Sequence, residues 1–185
     1  MEKPLPEDAK AVLQFWLEEI TPKQWWQKDA AFDSVIRERF VISLVAARQG
    51  ELWHWRQHPE GRLAEIIVLD QFSRNIYRDS AEAFAQDGIA LVLAQEAVSL
   101  GTLTKLTPQQ RPFLLMPYMH SESARIHEQA AILFNQPDME DSYRFELRHK
   151  AIIDRFGRYP HRNSVLGRQS TPEEWAFLQE PGSSF

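Results

Sequence analysis

The run Ala64-Glu65-Ile66-Ile67-Val68-Leu69, the densest apolar stretch of the chain, decides the fold class. Its β-branched core could be a buried strand. A strand needs partners, however, and no second convincing strand exists elsewhere to pair with it. The stretch from Leu63 to Ile76 is therefore read as a helix, apolar nearly all round and so central to the fold. On a helix Ile66, Asp70 and Arg74 stack at i, i+4 and i+8, with Gln71 and Asn75 beside them. With this segment helical, the whole chain reads as all-α.

The remaining periodicity fits that reading. Pro6 to Ile20 carries Val12, Phe15 and Trp16 at helical spacing. Asp29 is the N-cap of a helix reaching Gln49, with Phe32, Val35, Ile36, Phe40, Leu44 and Ala47 as its buried stripe and Gly50 as its stop. The segment with Leu52, Trp53 and Trp55 precedes a turn at His58-Pro59-Glu60-Gly61. Asp79-Ser80-Ala81-Glu82 reads as a capping box for a helix to Leu100, with Phe84, Leu91, Val92 and Val98 inward. Gly88 in its middle costs about 1 kcal/mol against alanine, which suggests close helix packing there. Thr107-Pro108-Gln109-Gln110 opens a short helix that Pro117 ends. Ser121 or Ser123 opens the next, to about Asn135, and Pro137-Asp138 opens another that Gly157 closes. Thr171-Pro172-Glu173-Glu174 caps a last one. That makes about seven to eight helices, joined by short connections that favour antiparallel neighbours. At 185 residues without a composition break, a single domain over 1–185 is expected, with 1–5 and 180–185 loose.

Composition narrows the function classes. The chain has no cysteine, so disulfides and thiolate metal sites are excluded. That absence fits a reducing, cytoplasmic setting. Met1 to Asp8 lacks a signal pattern, and no apolar run reaches membrane-spanning length. A formal net charge of −5 argues against nucleic-acid binding. Against this acidic background, Arg155 to Arg168 holds four arginines, one histidine and no carboxylate. Such a segment must find carboxylates elsewhere or bind an outside anion. Its Gly and Pro make it a turn, where binding groups tend to sit.

Polar residues interrupt apolar faces at Asp70/Gln71/Arg74/Asn75, at His120/Glu122/Gln129 and at His149. Arg158, His161, Arg162 and Asn163 crowd the basic turn. Each has a structural explanation taken singly: an i, i+4 pair, a satisfied core histidine, a helix cap. Taken together they describe a site. Arg74, Arg158 and Arg162 would bind an anion, with Asn75, Gln129 and Asn163 as further contacts. His120, His149 or His161 would serve as general base, oriented by Asp70 or Glu122. Neither a metal nor a cofactor is expected: there is no tight ligand spacing, glycine-rich phosphate loop or Gly-x-Ser-x-Gly elbow.

The motifs resemble those of a bacterial family, the domain of unknown function 924 family, over nearly the whole chain. The resemblance rests on Leu69-Asp70-Gln71-Phe72-Ser73-Arg74-Asn75-Ile76-Tyr77-Arg78, Phe84-Ala85-Gln86-Asp87, Pro117-Tyr118-Met119-His120-Ser121-Glu122, and His149 with Phe156-Gly157-Arg158-Tyr159-Pro160-His161-Arg162-Asn163. Ser73 departs from it, since the family usually has proline there. The resemblance implies an all-helical, TPR-like stack of paired helices and implies no reaction. Three functions then compete. The first is a TPR-like binding module with a polar pocket for a small anionic ligand, or for a protein or peptide partner. The second is a hydrolase or transferase acting on a small anionic metabolite. The third is a purely structural polar network.

Overall fold

The computed structural model describes residues 4–185, and within them the chain is helical with no strand. The segments are α1 (Glu7–Gln14), α2 (Ala30–Arg48), α3 (Pro59–Ile66), α4 (Ser73–Ile76), α5 (Asp87–Ser99), α6 (Arg111–His120), α7 (Ala124–Phe134), α8 (Glu140–Phe156) and α9 (Pro172–Phe177). A wide π-helical turn, Ile67–Phe72, joins α3 to α4 in one continuous rod, and a second, Phe15–Glu19, extends α1. Counting that rod once gives eight helices among the described residues, with short 3-10 turns between several of them. The expectation of loose residues 1–5 falls, for 1–3, outside the described residues.

The chain divides into two compact units. Unit 1 holds the residues up to Arg78 and Glu82–Pro117; unit 2 holds Asp79–Ala81 and Tyr118–Phe185.

Unit 1 is built on the α3–α4 rod. Residues 63 to 73 are all buried, among them Asp70, Gln71 and the hydroxyl-bearing Ser73. The aromatic core lies beside it: Phe72 is 4.8 Å from Phe40 and 5.6 Å from Trp16, which in turn stands edge-on to Phe113 at 5.8 Å. Each such ring pair adds about 0.5–1.5 kcal/mol beyond its buried area. Helix α2 starts where Asp29 accepts from the amides of Ala31 and Phe32, and Gly50 takes the left-handed conformation just after it. Its buried stripe is Phe32, Ile36, Phe40, Leu44 and Ala47, while Val35 stays exposed.

Several details differ from the sequence reading. The turn expected at His58 to Gly61 is the first turn of α3, because Pro59 fits the N1 position of a helix. Residues 79–86 do not join α5: Asp79 has a φ of 62°, which breaks the helix before it can run through. Helix α5 therefore starts at Asp87 and buries Ala90, Leu93, Ala94 and Ala97, leaving Val92 exposed. A Cβ on Gly88 would meet nothing within 4 Å, so the glycine there serves no close packing. Close approach occurs at Gly61 instead, packed against the backbone of Trp55. Pro117 lies inside α6 and does not end it; the helix runs on to His120.

In unit 2, α7 and α8 pack against one another. Gly157, at a φ of 71°, stops α8 and turns the chain into the basic segment. Ile152, Ile153, Tyr159 and Phe177 form its core, with Phe156 packed on the side. The tail does not trail into solvent: Ser183 is buried and donates to the Leu178 carbonyl, and the Phe185 ring packs against histidines.

Candidate functional site

The sequence-derived candidates fall into two groups, one in each unit. In unit 1 the wide turn at 67–72 orients the polar end of the rod. Such turns recur at functional positions in helices. Asp70 is fully buried and accepts from the Gln71 amide at 2.8 Å. Arg74 reaches the Asp70 carbonyl at 3.1 Å and grips Asp87 with two bonds, at 2.8 and 3.0 Å. Asn75 donates to Asp33 at 2.8 Å, and Arg78 holds both oxygens of the same carboxylate. Arg74 and Asn75 thus hold internal carboxylates.

In unit 2 the basic turn meets carboxylates of the same unit. Arg158 forms a fork on Glu174, with both contacts at 2.9 Å. Arg168 forms a second on Glu122, at 2.7 and 2.9 Å. Paired donors and paired acceptors match here in geometry and charge. Asn163, almost fully buried, donates to Glu174 at 2.9 Å and to the Ser170 hydroxyl at 3.0 Å, and accepts from Arg168 at 2.9 Å. The Tyr159 amide donates to Glu122 at 2.8 Å. Arg162, also buried, donates to the His120 carbonyl at 3.0 Å and lies over the Tyr159 ring.

These partners set the protonation of the acids. The Arg158 fork, helped by the Thr171 amide and Asn163, outweighs burial and holds Glu174 down to about 2. At Glu122 burial pushes upward, but the Arg168 fork, the Tyr159 amide and the charge of Arg162 prevail and leave it below the usual range. Both carboxylates are therefore ionised partners of the turn.

Below the turn lies a cluster of histidines around Tyr159. His127, completely buried, places Nδ1 2.6 Å from Glu146 and Nε2 2.7 Å from the Ser121 carbonyl. A carbonyl only accepts, so Nε2 carries a proton, which it also offers to the Tyr159 hydroxyl at 3.0 Å. The Tyr159 hydroxyl in turn donates to the Met119 carbonyl at 2.5 Å. Burial raises the pKa of Glu146, with His127 pulling the other way. This chain of groups has the composition of an acid–base relay, yet its far end is a fully buried phenol already donating to the backbone. It braces the unit.

His149 differs. Its Nδ1 lies 2.7 Å from the Phe145 carbonyl, so Nδ1 is the protonated nitrogen and Nε2 keeps its lone pair. Burial drives its pKa down to about 3, against the contact with Phe145 and with the nearby charges of His120, His127 and His161 adding to the drop. The ring stands 5.8 Å from Tyr159 and 3.9 Å from Phe185, and Phe185 is 4.4 Å from His161. His120 and His161 are half-buried. Among the described residues no group of three or more His, Asp or Glu side chains is arranged to hold a metal ion.

A neutral buried imidazole has a definite consequence for acid stability. The unfolded chain takes a proton on His149 near the ordinary value of about 6.5. The fold refuses it until about 3. Between those values the unfolded state binds more protons, so stability falls as pH falls, by up to about 1.4 kcal/mol per pH unit. The expected result is a melting temperature that drops between pH 7 and pH 5 in the native protein and drops less in His149→Gln. Equal slopes for the two proteins would refute it. The depressed Glu174 acts in a lower window, from about 4.5 down to about 2, and leaves this comparison undisturbed.

The sequence reading gathers Asp70, Arg74, Asn75, His120, Glu122, Gln129, His149 and the residues of the basic turn into one site; Asp70, Arg74 and Asn75 belong to unit 1, and the others to unit 2. Gln129 is exposed on α7, because the buried face runs through His127, Ala130 and Phe134 and not through Ile126 and Leu133. His127 and Glu146 were missed. Their signal was available: His127 sits three and seven residues before two buried apolar positions, and Glu146 three before His149 on the buried side of α8.

The model of the family described as bacterial protein of unknown function (DUF924) matches residues 12–182. A solved structure, a protein of unknown function, ATU0120, from Agrobacterium tumefaciens, superposes with a TM-score of 0.88 at 37% identity, covering 92% of this chain and 96% of that one. No curated protein matches the chain. No helix among the described residues is long and apolar enough to cross a membrane.

Proposed function

The chain belongs to the DUF924 family of bacterial proteins of unknown function, and from that premise we propose that it is a binding module of TPR-like design whose ligand site is the histidine cluster of unit 2. The observation that carries this reading is the gathering of His120, at the end of α6, and His149, on α8, with His161 of a turn whose arginines are already anchored. Anchoring fixes the turn before any ligand arrives, so less ordering entropy is lost on binding. The half-buried imidazoles His120 and His161, with the N–H groups of Arg162 beside the His120 carbonyl, supply donors suited to a small anion. Arg158 and Asn163 act behind them by holding Glu174.

Inorganic phosphate tests the reading. It should raise the melting temperature in a saturable way; a ligand at a hundred times its Kd adds about 2.7 kcal/mol. The rise should disappear in His120→Ala/His161→Ala and survive in the unit 1 variant Lys105→Ala. A phosphate effect equal in all three proteins, or none in the native one, would sink it.

A second reading, an enzyme acting on a small anionic metabolite, draws on one observation. The tautomer of His149 leaves Nε2 unprotonated across the physiological range and able to accept from a reacting group, with a pKa of about 3 making it a weak base. Its test is consumption of one species in a metabolite extract by the native protein and not by His149→Gln.

A further inference from the structure

Phe185 is an ill-matched occupant of its surroundings. Its ring lies 3.9 Å from His149, 4.4 Å from His161 and 5.1 Å from Tyr159, centroid to centroid, and meets all three at steep angles of 60°, 64° and 85°. Edge-on contact of this kind is how aromatic surfaces hold a flat ring. Yet Phe185 remains 52% exposed, while His149 and Tyr159 beneath it are 7% and 0% exposed. The tether is slight: Ser183 donates to the Leu178 carbonyl at 3.2 Å. The slot also has an acceptor that the phenyl ring cannot use. Because Nδ1 of His149 is committed to the Phe145 carbonyl, Nε2 is an acceptor, and no donor among the described residues bonds to it. The neighbouring phenyl ring, a hydrocarbon, offers that acceptor no donor.

We propose that His149, Tyr159 and His161 form a recognition slot for a small aromatic ligand bearing a hydrogen-bond donor, a phenol or an indole, and that Phe185 is its displaceable internal occupant. The inference rests on the reading of the histidine cluster as a ligand site and names the ligand class. The ring of such a ligand takes the place of the phenyl group, and its O–H or N–H donates to Nε2 of His149. An acidic substituent on the ring would meet the same donors as a free anion, His120, His161 and Arg162. The tethered phenyl group competes with any incoming ring as a ligand at high local concentration.

The probe is 4-hydroxyphenylacetate, with phenylacetate and acetate as controls, titrated by calorimetry into the native protein and into Phe185→Ala. Phe185 is half exposed, so its truncation leaves the core of unit 2 intact. Removing the competitor should tighten 4-hydroxyphenylacetate roughly tenfold. Phenylacetate, lacking the donor, should bind about tenfold more weakly than 4-hydroxyphenylacetate in the same variant. The nitrogen resonance of His149 Nε2 should shift with the phenol and not with acetate. Equal affinity for 4-hydroxyphenylacetate in native and variant proteins would overturn the proposal. So would a variant that binds neither aromatic acid, and if that variant still responds to phosphate the anion-binding reading stands. Loss of the phosphate response with the aromatic acids still bound would fault the anion reading alone.

Discussion

Gly61→Ala is expected to destabilise unit 1 more than any other single-methyl addition. A Cβ at this position would overlap the carbonyl of Trp55 and lie 3.2 Å from its Cα. The obstacle is backbone, so no side-chain rotation relieves it. Trp55 is itself pinned, since its carbonyl accepts from the His58 amide at 3.1 Å and its side chain is buried. Overpacking a core usually costs about 1–3 kcal/mol and more where the backbone must move. A loss of more than about 3 kcal/mol is expected, read as a lower urea midpoint at an unchanged slope. Gly88→Ala is the control: it has open space around it and a helical position, so it should gain up to about 1 kcal/mol. If the two alanine variants melt alike, the close approach at Gly61 is not a feature of the protein in solution.

The second large effect is expected at His127. Truncating it to alanine strands Glu146, fully buried and left among the described residues with only the nearby charge of Lys150, and strips a donor from the Ser121 carbonyl and the Tyr159 hydroxyl. Breaking one side of a buried pair typically costs about 3–5 kcal/mol. The double variant His127→Leu/Glu146→Leu should recover part of that loss, because neither member of the pair is then left buried without its partner. Recovery cannot be complete, since the Ser121 carbonyl still lacks its partner. Chemical denaturation of the three variants decides it. Should the single variant lose less than about 1 kcal/mol, the pair is not the brace described here.

Much of this architecture is legible in the chain because local rules and tertiary demands agree. Asp29, Gly50, Gly157 and the Thr171/Glu174 box mark helix ends as cap chemistry requires. The choice of helix for residues 63–76 holds, since a lone strand would have left its backbone groups unpaired. Errors cluster where two faces of a helix are both apolar. On α5 alanines point inward and Val92 outward, so apolar size misleads; only the neighbouring helices decide which stripe is covered. The wide turn at 67–72 is likewise unreadable, because nothing in Ile-Val-Leu-Asp-Gln-Phe distinguishes a five-residue from a four-residue hydrogen-bond step. The basic turn illustrates a different limit. Its need for carboxylates follows from charge alone, but Glu122 lies 46 positions before Arg168 and Glu174 16 after Arg158, and only folding identifies them.

The Glu122–Arg168 fork spans 46 positions of the chain. During synthesis the carboxylate therefore emerges from the ribosome well before its guanidinium, and α7 and α8 exist for seconds at about 5–20 residues per second without the clasp that seals them. Unit 2 is thereby committed to late closure: His120, His127 and His149 stay open to water, proteases and chaperones until the stretch beyond Gly157 has been made. Released chains truncated just before and just after Arg168 should differ abruptly in protease resistance within residues 118–156.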